Sequence, residues 1–398
     1  MTIFNKLRPN NLFSNNKNVD KTLMIAIFML STFGFLMNIS ASMGRYFDDN
    51  NALIFYTVKQ VIYLLIGFFL LQYAIRYFSF KKLKELFNSP YFIFSVWFVL
   101  LACIAFPATG GAHAWIKIGA FTLQPSEFAK LFTILSIANS LGGIKSKKLD
   151  AGSLLRTPLI HIIPIIFIVL FVQSDFGSAV IISFIAYILI LICRHPALKK
   201  IQTVMFWLMI VGIVLLFFLF SKSFSTFLLS LDSNNYMINR FTSAIDPFQD
   251  PYNGGYQIIK GLVSMASGGI FGLGFGKSIR KYMNFPAANS DYIIAIIIEE
   301  LGLIGFIILI VLYLAILGTL IRYALIIKNE KAKIILFGVS LYFFIHFLFN
   351  VGGASTLIPL TGVPLLLVSS GGSSLLSCLL SLGICQSIIT MYKKGEIK

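Results

Sequence analysis

The chain has 398 residues, of which 58% are hydrophobic and only 12% are charged, and its formal net charge is +17. Soluble domains contain about 25% charged residues and roughly 45–50% apolar ones, so this composition excludes an ordinary soluble protein. The mean hydropathy of +0.87 predicts a polytopic membrane protein instead. Because the basic residues lie in short loops between apolar segments, the positive charge does not indicate a nucleic-acid partner.

A series of apolar segments extends along the chain, and most of them are long enough to cross a hydrocarbon core of about 30 Å as a helix. They comprise residues 23–42, 55–75, 91–106, 125–141, 158–172, 176–193, 204–220, 292–321, 334–352 and 365–391. We therefore predict an all-α polytopic membrane protein with about ten transmembrane helices. One long extracytoplasmic loop separates the seventh helix from the eighth.

A single membrane domain is predicted over residues 22–392, including the extracytoplasmic loop over 221–291, with short tails at 1–21 and 393–398. Lys and Arg are frequent in every second loop and in both tails, whereas the alternate loops are poor in bases. Since cytoplasmic loops carry the excess of Lys and Arg, both termini are predicted to be cytoplasmic. The long loop, the segment around Trp115 and the turn at Asp175 then lie outside.

Two further patterns exclude common functional sites. The four cysteines lie in or at the ends of apolar segments without paired spacing, so neither a disulfide framework nor a zinc site is predicted. The glycine-rich run 268–278 resembles a nucleotide-binding loop, but Phe271 stands where that motif requires glycine. We expect these glycines to form a re-entrant loop or closely packed backbone.

The stretch 240–305 gathers most of the polar chemistry of the chain. It is basic, rich in glycine, and carries Asp291 at the start of an apolar segment. An acid at the boundary between water and membrane, beside bases that bind phosphate oxygens, suggests chemistry on a substrate that is part lipid and part polar. The alternative is a solvated loop whose charges have no function.

Other ionisable residues lie at membrane depth, where they are costly and therefore candidates for function. Glu127 and Lys130 are three positions apart, so they share a helix face and could neutralise each other. Asp175 lies in a turn, and Glu299 and Glu300 lie inside the eighth segment. Structural pairs and helix caps are the alternative for all of these residues. The groups nearer the outer surface are the stronger candidates for catalysis or substrate binding.

Short motifs recur along nearly the whole chain. They are GAHAWI at 111–116, FTLQPSEFAK at 121–130, QSDFGS at 173–178, FPAANSDY at 285–292, EELG at 299–302 and PLTGVPLLLVSSGGSS at 359–374. In this order they resemble the signature of the shape, elongation, division and sporulation family of bacterial membrane proteins. Asp-Pro-Phe at 246–248 resembles the division branch of that family more than the elongation branch.

The resemblance implies a peptidoglycan glycosyltransferase that polymerises lipid II on the outer face of the bacterial cytoplasmic membrane. By motif position, Asp291 matches the family's essential aspartate and is the expected catalytic base, with undecaprenyl diphosphate as the leaving group. The expected substrate-binding residues are Trp115, Lys117, Glu127, Lys130, Asp175, Lys277 and Ser373. The lysines would neutralise the diphosphate, with Glu127 orienting Lys130. Trp115 would stack on a sugar face or anchor the chain at the membrane interface.

The same resemblance implies a set of partners. They are lipid II and the nascent glycan strand, a class B penicillin-binding protein acting as transpeptidase, other divisome or elongasome membrane proteins, and membrane lipid. Nucleic acid is not among them. No obligate cofactor and no dedicated metal site are expected, although a divalent cation could assist the diphosphate.

The chain departs from the family pattern at several positions. Ala114 stands where Arg is usual, Ser174 where Pro is usual, Ala287 where Pro-Glu is usual and Ser370 where Tyr is usual. The change at 114 removes a candidate phosphate ligand, and the change at 287 removes a second carboxylate. Two other functions stay open: a lipid II flippase, and a non-catalytic scaffold that activates a partner transpeptidase. The halves show no self-similarity and the charges concentrate at the outer surface, which favours the polymerase over a transporter.

Overall fold

A computed structural model describes residues 18–144, 149–219, 224, 245–248, 250–252, 255–283, 285–359 and 362–398. Within these residues the chain is mostly helical. The helices are α1 (Lys21–Met43), α2 (Asn50–Tyr77), α3 (Phe80–Asn88), α4 (Pro90–Ala102), α5 (Pro125–Leu141), α6 (Ala151–Phe167), α7 (Phe176–Ile192), α8 (Lys199–Leu219), α9 (Tyr256–Gly268), α10 (Ile293–Ile326), α11 (Glu330–Ala354) and α12 (Gly372–Lys393). A two-stranded antiparallel hairpin, β1 (Ile116–Ile118) and β2 (Phe121–Leu123), precedes α5.

Length and hydropathy identify the helices that can cross a membrane. In the described part of the chain there are seven: α1, α2, α6 with the π-helical turn that follows it, α8, α10, α11 and α12. The pair α3 and α4, bent by 75°, would make an eighth. The predicted multi-pass helical membrane protein is confirmed, and each predicted apolar segment overlaps a helix. The total of about ten spans stays a prediction.

α11 and α12 form the centre of the bundle, where nearly every side chain of α12 is buried. α12 packs against α2, and α11 packs against α5 and α10. At Gly67 a Cβ would lie 2.5 Å from Leu379 Cδ1, and at Gly383 it would lie 2.6 Å from the Leu71 carbonyl oxygen. Small residues thus let α2 and α12 approach closely, as is common between membrane helices.

The segment before α12 is buried but irregular. The helix begins at Gly372 rather than at residue 365, where the apolar segment begins. Leu367 has a φ of 64°, which the right-handed helix does not allow. The Leu365 amide donates to Ser369 Oγ at 2.9 Å, which satisfies a backbone donor outside regular structure. The boundary differs because hydropathy reports burial and not backbone conformation.

α10 is broken at Gly302, whose φ of 66° and ψ of −163° lie outside the helical region. The break separates an N-terminal part over 293–301 from a C-terminal part over 303–326. As one straight helix, 34 residues would measure about 51 Å, well beyond a hydrocarbon core of about 30 Å. The break therefore sets where the N-terminal part of α10 ends and lets the two parts run in different directions.

The glycine loop, residues 268–276, is hydrogen-bonded across this break. The amides of Leu273 and Gly274 donate at 2.9 Å to the carbonyl oxygens of residues 299 and 300. In return, the amides of residues 303 and 304 donate to the carbonyl oxygens of residues 269 and 270 at 3.0 and 3.3 Å. At Gly272 and Gly302 a Cβ would overlap the backbone of the other segment. These glycines form closely packed backbone, as predicted.

α9 leads into this loop and packs along the N-terminal part of α10. A Cβ at Gly261 would lie 2.5 Å from the Tyr292 ring, and one at Gly268 would overlap the Ile298 carbonyl oxygen. Much of the first half of the predicted loop over 221–291 lies outside the described residues. Its second half packs into the bundle rather than extending away from it.

Both ends of the membrane domain meet at Asp20. Its Oδ2 accepts hydrogen bonds from Lys393 Nζ and Tyr323 Oη, each at 2.8 Å, and its Oδ1 accepts from the Leu23 amide at 3.1 Å. These contacts join the start of α1 to the ends of α10 and α12. Residues 20 and 393 therefore lie on the same face of the bundle.

We expect acid to remove the stabilisation that Asp20 provides. Burial raises the pKa of Asp20, but the bonds from Lys393, Leu23 and Tyr323 outweigh it and leave the pKa below its usual 3.8. A carboxyl whose pKa is lowered by folding stabilises the fold above its unfolded pKa, and this is lost as pH falls through the folded pKa. Asp20→Asn should therefore melt lower than wild type at about pH 7, and the difference should shrink on acidification below pH 3.8.

Differential scanning fluorimetry in detergent measures this difference. Asp48→Asn is the matched control, because Asp48 is exposed on the loop between α1 and α2. Equal melting temperatures for wild type and Asp20→Asn near neutral pH would contradict the expectation.

Candidate functional site

Asp291 lies half-buried in the turn that leads into α10. Its carbonyl oxygen accepts a hydrogen bond from Asn350 Nδ2 at 3.2 Å, and the same nitrogen donates to the Val363 carbonyl oxygen at 3.0 Å. Gly362 has a φ of 70°, and a Cβ there would lie 3.9 Å from Asp291 Oδ2. The carboxylate thus lies beside the irregular segment before α12, at a position where glycine leaves room.

The two residues before Asp291 are fixed by hydrogen bonds that their carbonyl oxygens accept. Ser369 Oγ donates to the Ser290 carbonyl oxygen at 2.6 Å, and the Ser370 amide donates to that of Asn289 at 2.8 Å. Asn38 Nδ2 of α1 donates to the Asn289 carbonyl oxygen at 3.3 Å. The backbone that carries Asp291 is therefore fixed by α1, α11 and the segment before α12.

Sequence reasoning missed the residues that hold this turn. Asn38 also accepts from Tyr56 Oη, and Asn289 Nδ2 donates to Ser42 Oγ at 3.0 Å. An amide inside an otherwise apolar helix is costly unless it is bonded, so Asn38 carried a usable signal. The serines carried none, because a hydroxyl in a helix can bond to its own backbone.

Glu127 and Lys130 form a buried ion pair near the start of α5. Lys130 Nζ lies 2.7 Å from Glu127 Oε1 and 3.1 Å from His346 Nε2. Tyr342 Oη donates to Glu127 Oε2 at 3.1 Å. The predicted contact between Glu127 and Lys130 is confirmed. Since the lysine donates to His346 Nε2, the imidazole proton lies on Nδ1, which donates to the Pro364 carbonyl oxygen at 2.9 Å.

His346 and Asn350 connect this pair to Asp291. They are one turn apart on α11 and bond to the consecutive carbonyl oxygens of Pro364 and Val363. His346 also reaches α5 through Lys130, whereas Asn350 bonds to the turn before α10 and to the segment before α12. These contacts form a line from the Asp291 carbonyl oxygen through Asn350 and His346 of α11 to Lys130. We call this line the polar line.

Ser373 and Asp175 lie close to this line. Ser373 is buried in the first turn of α12, one turn before Ser377, which bonds to Tyr342 Oη at 3.1 Å. Within the described residues its Oγ has no hydrogen-bond partner. Asp175 caps α7 by accepting from the Ser178 amide at 3.0 Å. Its other oxygen accepts from Gln124 Nε2 at 2.7 Å, immediately before α5.

Ser174, next to Asp175, has a φ of 57°. Proline is fixed near −65°, so the residue that the family motif has at this position is incompatible with the backbone observed here. This departure from the motif therefore comes with a different local conformation. The π-helical turn Ile168–Val172 precedes it, and such turns are frequent at functional sites.

The other predicted site residues lie elsewhere. Trp115 is half-buried at the start of the hairpin, Lys117 is exposed on it, and Ala114 is buried. Lys277 is exposed just after the glycine loop, beside the part of the chain that contacts Glu299 and Glu300. Among the described residues, no group of three or more His, Cys, Asp or Glu side chains could hold a metal ion.

Residues 21–394 match the family model of FtsW, RodA and SpoVE, described as a cell cycle protein. The chain is 34% identical over 397 residues to the probable peptidoglycan glycosyltransferase FtsW of Bacillus subtilis (strain 168), covering 96% of this chain and 93% of that protein. It is 30% identical over 380 residues to stage V sporulation protein E of the same organism, covering 93% and 96% of the two chains.

Solved structures have the same fold. A chain of a peptidoglycan synthase complex that coordinates polymerization and crosslinking aligns with a TM-score of 0.68 and 22% identity, covering 94% of this chain and 98% of that one. The rod shape determining protein RodA of Thermus thermophilus aligns with a TM-score of 0.61 and 21% identity, covering 94% and 97%. Because the family match extends over nearly the whole sequence, this chain belongs to the FtsW, RodA and SpoVE family of cell cycle proteins.

Proposed function

We propose that this chain is a peptidoglycan glycosyltransferase that polymerises lipid II on the outer face of the bacterial cytoplasmic membrane. Family membership supports this, together with relatives named probable peptidoglycan glycosyltransferase. The observation that carries the proposal is a half-buried Asp291 whose backbone is fixed from several sides. In the proposed topology about ten helices span the membrane, and both termini are cytoplasmic.

In the proposed reaction Asp291 is the general base. Its carboxylate takes the proton of the acceptor sugar hydroxyl as that oxygen attacks the anomeric carbon of the donor. A new glycosidic C–O bond forms, the C–O bond to the diphosphate breaks, and undecaprenyl diphosphate leaves with the bonding electron pair. A hydroxyl is a poor nucleophile until a positioned base takes its proton, and this assistance contributes typically about 10²–10⁴-fold.

The leaving diphosphate gathers negative charge, which lysines stabilise in a site of low dielectric constant. Lys117 and Lys277 are exposed, so their side chains are available to substrate. Lys130 is held by Glu127 and His346, and its charge acts from within the bundle at the end of the polar line. Trp115, Asp175 and Ser373 complete the proposed binding residues, with Trp115 stacking on a sugar face.

The proposal includes protein partners. The solved complex with the same fold is described as coordinating polymerization and crosslinking. We infer that a class B penicillin-binding protein supplies the crosslinking activity beside this chain, within the divisome or elongasome. The proposal requires no obligate cofactor, and polymerisation with and without a chelator tests whether a divalent cation assists the diphosphate.

The test is polymerisation by the purified full chain in proteoliposomes that contain fluorescent lipid II. Glycan strands on a gel, sensitive to a muramidase, support the glycosyltransferase. Lipid II that crosses the bilayer without forming polymer would instead support a flippase. If neither occurs, and the chain only raises the crosslinking activity of an added transpeptidase, the chain is a scaffold.

A further inference from the structure

Lys281 and Glu300 form an ion pair in the interior, between the segment after the glycine loop and α10. Lys281 Nζ lies 2.8 Å from Glu300 Oε1, and both side chains are 0% exposed. Ser40 of α1 bridges them: its Oγ accepts from Lys281 Nζ at 3.0 Å and lies 2.7 Å from each Glu300 carboxylate oxygen. We call these residues the Lys281–Glu300–Ser40 cluster.

The cluster attaches the glycine loop to α10 at its break. The Glu300 carboxylate accepts from the amides of Gly276 and Ser278 at 3.0 and 3.4 Å. Lys281 Nζ also donates to the Gly276 carbonyl oxygen at 2.8 Å. The neighbouring Glu299 accepts from Ser278 Oγ at 2.6 Å. Charge, hydroxyl and backbone contacts therefore all connect the loop to the N-terminal part of α10.

The segment 280–291 leads from this cluster to Asp291. At its start it lies against α1, where a Cβ at Gly44 would overlap the Lys281 carbonyl oxygen. Near its end, Asn289 is held by Asn38 Nδ2 at 3.3 Å and by the Ser370 amide at 2.8 Å. Asp291 thus follows a segment with one anchor at Lys281 and another at Asn289.

We propose that Lys281 is a positioning residue for Asp291, and that its ion pair with Glu300 fixes the segment 280–291. The proposal rests on the function proposed above and deepens it. Removing one member of a fully buried ion pair leaves an uncompensated charge, so the remaining side chain must rearrange or recruit water. Either change displaces the anchored segment. A displacement of about 1 Å at reacting groups costs about 10²-fold in rate.

The experiment compares wild type, Lys281→Met, Glu300→Gln and the double variant in lipid II polymerisation. Each single variant should lower kcat about 100-fold while KM for lipid II stays close to wild type. The double variant should recover much of the lost kcat, because it leaves no unpaired charge and the introduced glutamine keeps an acceptor for the Gly276 and Ser278 amides. Lys394→Met, which removes an exposed lysine at the end of the chain, is the control and should match wild type.

Ser40→Ala keeps the proposal testable if a single charge variant fails to fold. It keeps both charges and removes only the bridging hydroxyl, so it should lower kcat more than KM without loss of monodisperse protein. Wild-type kcat in Lys281→Met, or in Ser40→Ala where Lys281→Met does not fold, would overturn the positioning role and leave the proposed function standing, provided that Asp291→Asn is inactive. A double variant that recovers nothing would also overturn it. Absence of polymer from wild type would instead contradict the proposed function.

Discussion

Asp291→Asn is expected to reduce polymer formation from lipid II by about 10²–10⁴-fold, the usual contribution of a general base. Asparagine has the same shape but takes no proton from the acceptor hydroxyl at neutral pH. The contacts that hold the carbonyl oxygens of residues 289–291 are made to the backbone, so the substitution keeps them. The variant should therefore fold and bind lipid II, so the loss appears in kcat.

Turnover and lipid II binding are measured side by side on purified protein in proteoliposomes. Asp48→Asn is the matched control, since it removes a carboxylate that lies exposed between α1 and α2. It should polymerise as wild type does. Polymer formation by Asp291→Asn within a few-fold of wild type would show that another group takes the proton.

The second large effect is expected from Gly302→Ala, on stability. At a φ of 66° and ψ of −163°, any residue but glycine is strained by about 1–3 kcal/mol. The added methyl group would also overlap the Ile270 carbonyl oxygen, and such overpacking costs a further ~1–3 kcal/mol. The protein should melt well below wild type in detergent, and much of it should elute as aggregate.

Gly318→Ala is the matched control for this variant. It lies in the C-terminal part of the same helix, and a Cβ there would meet nothing within 4 Å. Alanine favours a helix over glycine by about 1 kcal/mol, so this variant should melt at or slightly above the wild-type temperature. If Gly302→Ala has the same melting temperature as wild type, the strained backbone conformation at Gly302 is contradicted.

Hydropathy was sufficient to locate the membrane helices, because burial in lipid demands long apolar segments. It failed at residues 365–371, where the apolar segment is buried as irregular backbone. The Leu365 amide bonds to Ser369 Oγ there, and the Ser370 amide bonds to the Asn289 carbonyl oxygen. The Glu127–Lys130 pair was predictable as well, since residues three apart on a helix are neighbours. Hydropathy gave the first of these predictions, and local spacing gave the second.

The anchors of Asp291 were beyond this kind of reasoning. Asn38 contacts Asn289 across 251 positions, and Lys281 contacts Ser40 across 241. No periodicity connects such positions, because each contact depends on how α1 packs against a segment distant in the sequence. Lys281 also looked like one of many loop bases, although it is almost completely buried. The residues next to a lysine in the sequence do not predict whether its side chain is buried or exposed.

Ser174 limits how relatives can guide redesign of this protein. Consensus engineering would write proline at this position, following the motif that the turn resembles. Ser174 has a φ of 57°, in the left-handed region, whereas the proline ring fixes φ near −65°. Because proline does not fit this backbone, introducing it without also changing the surrounding turn should destabilise the fold.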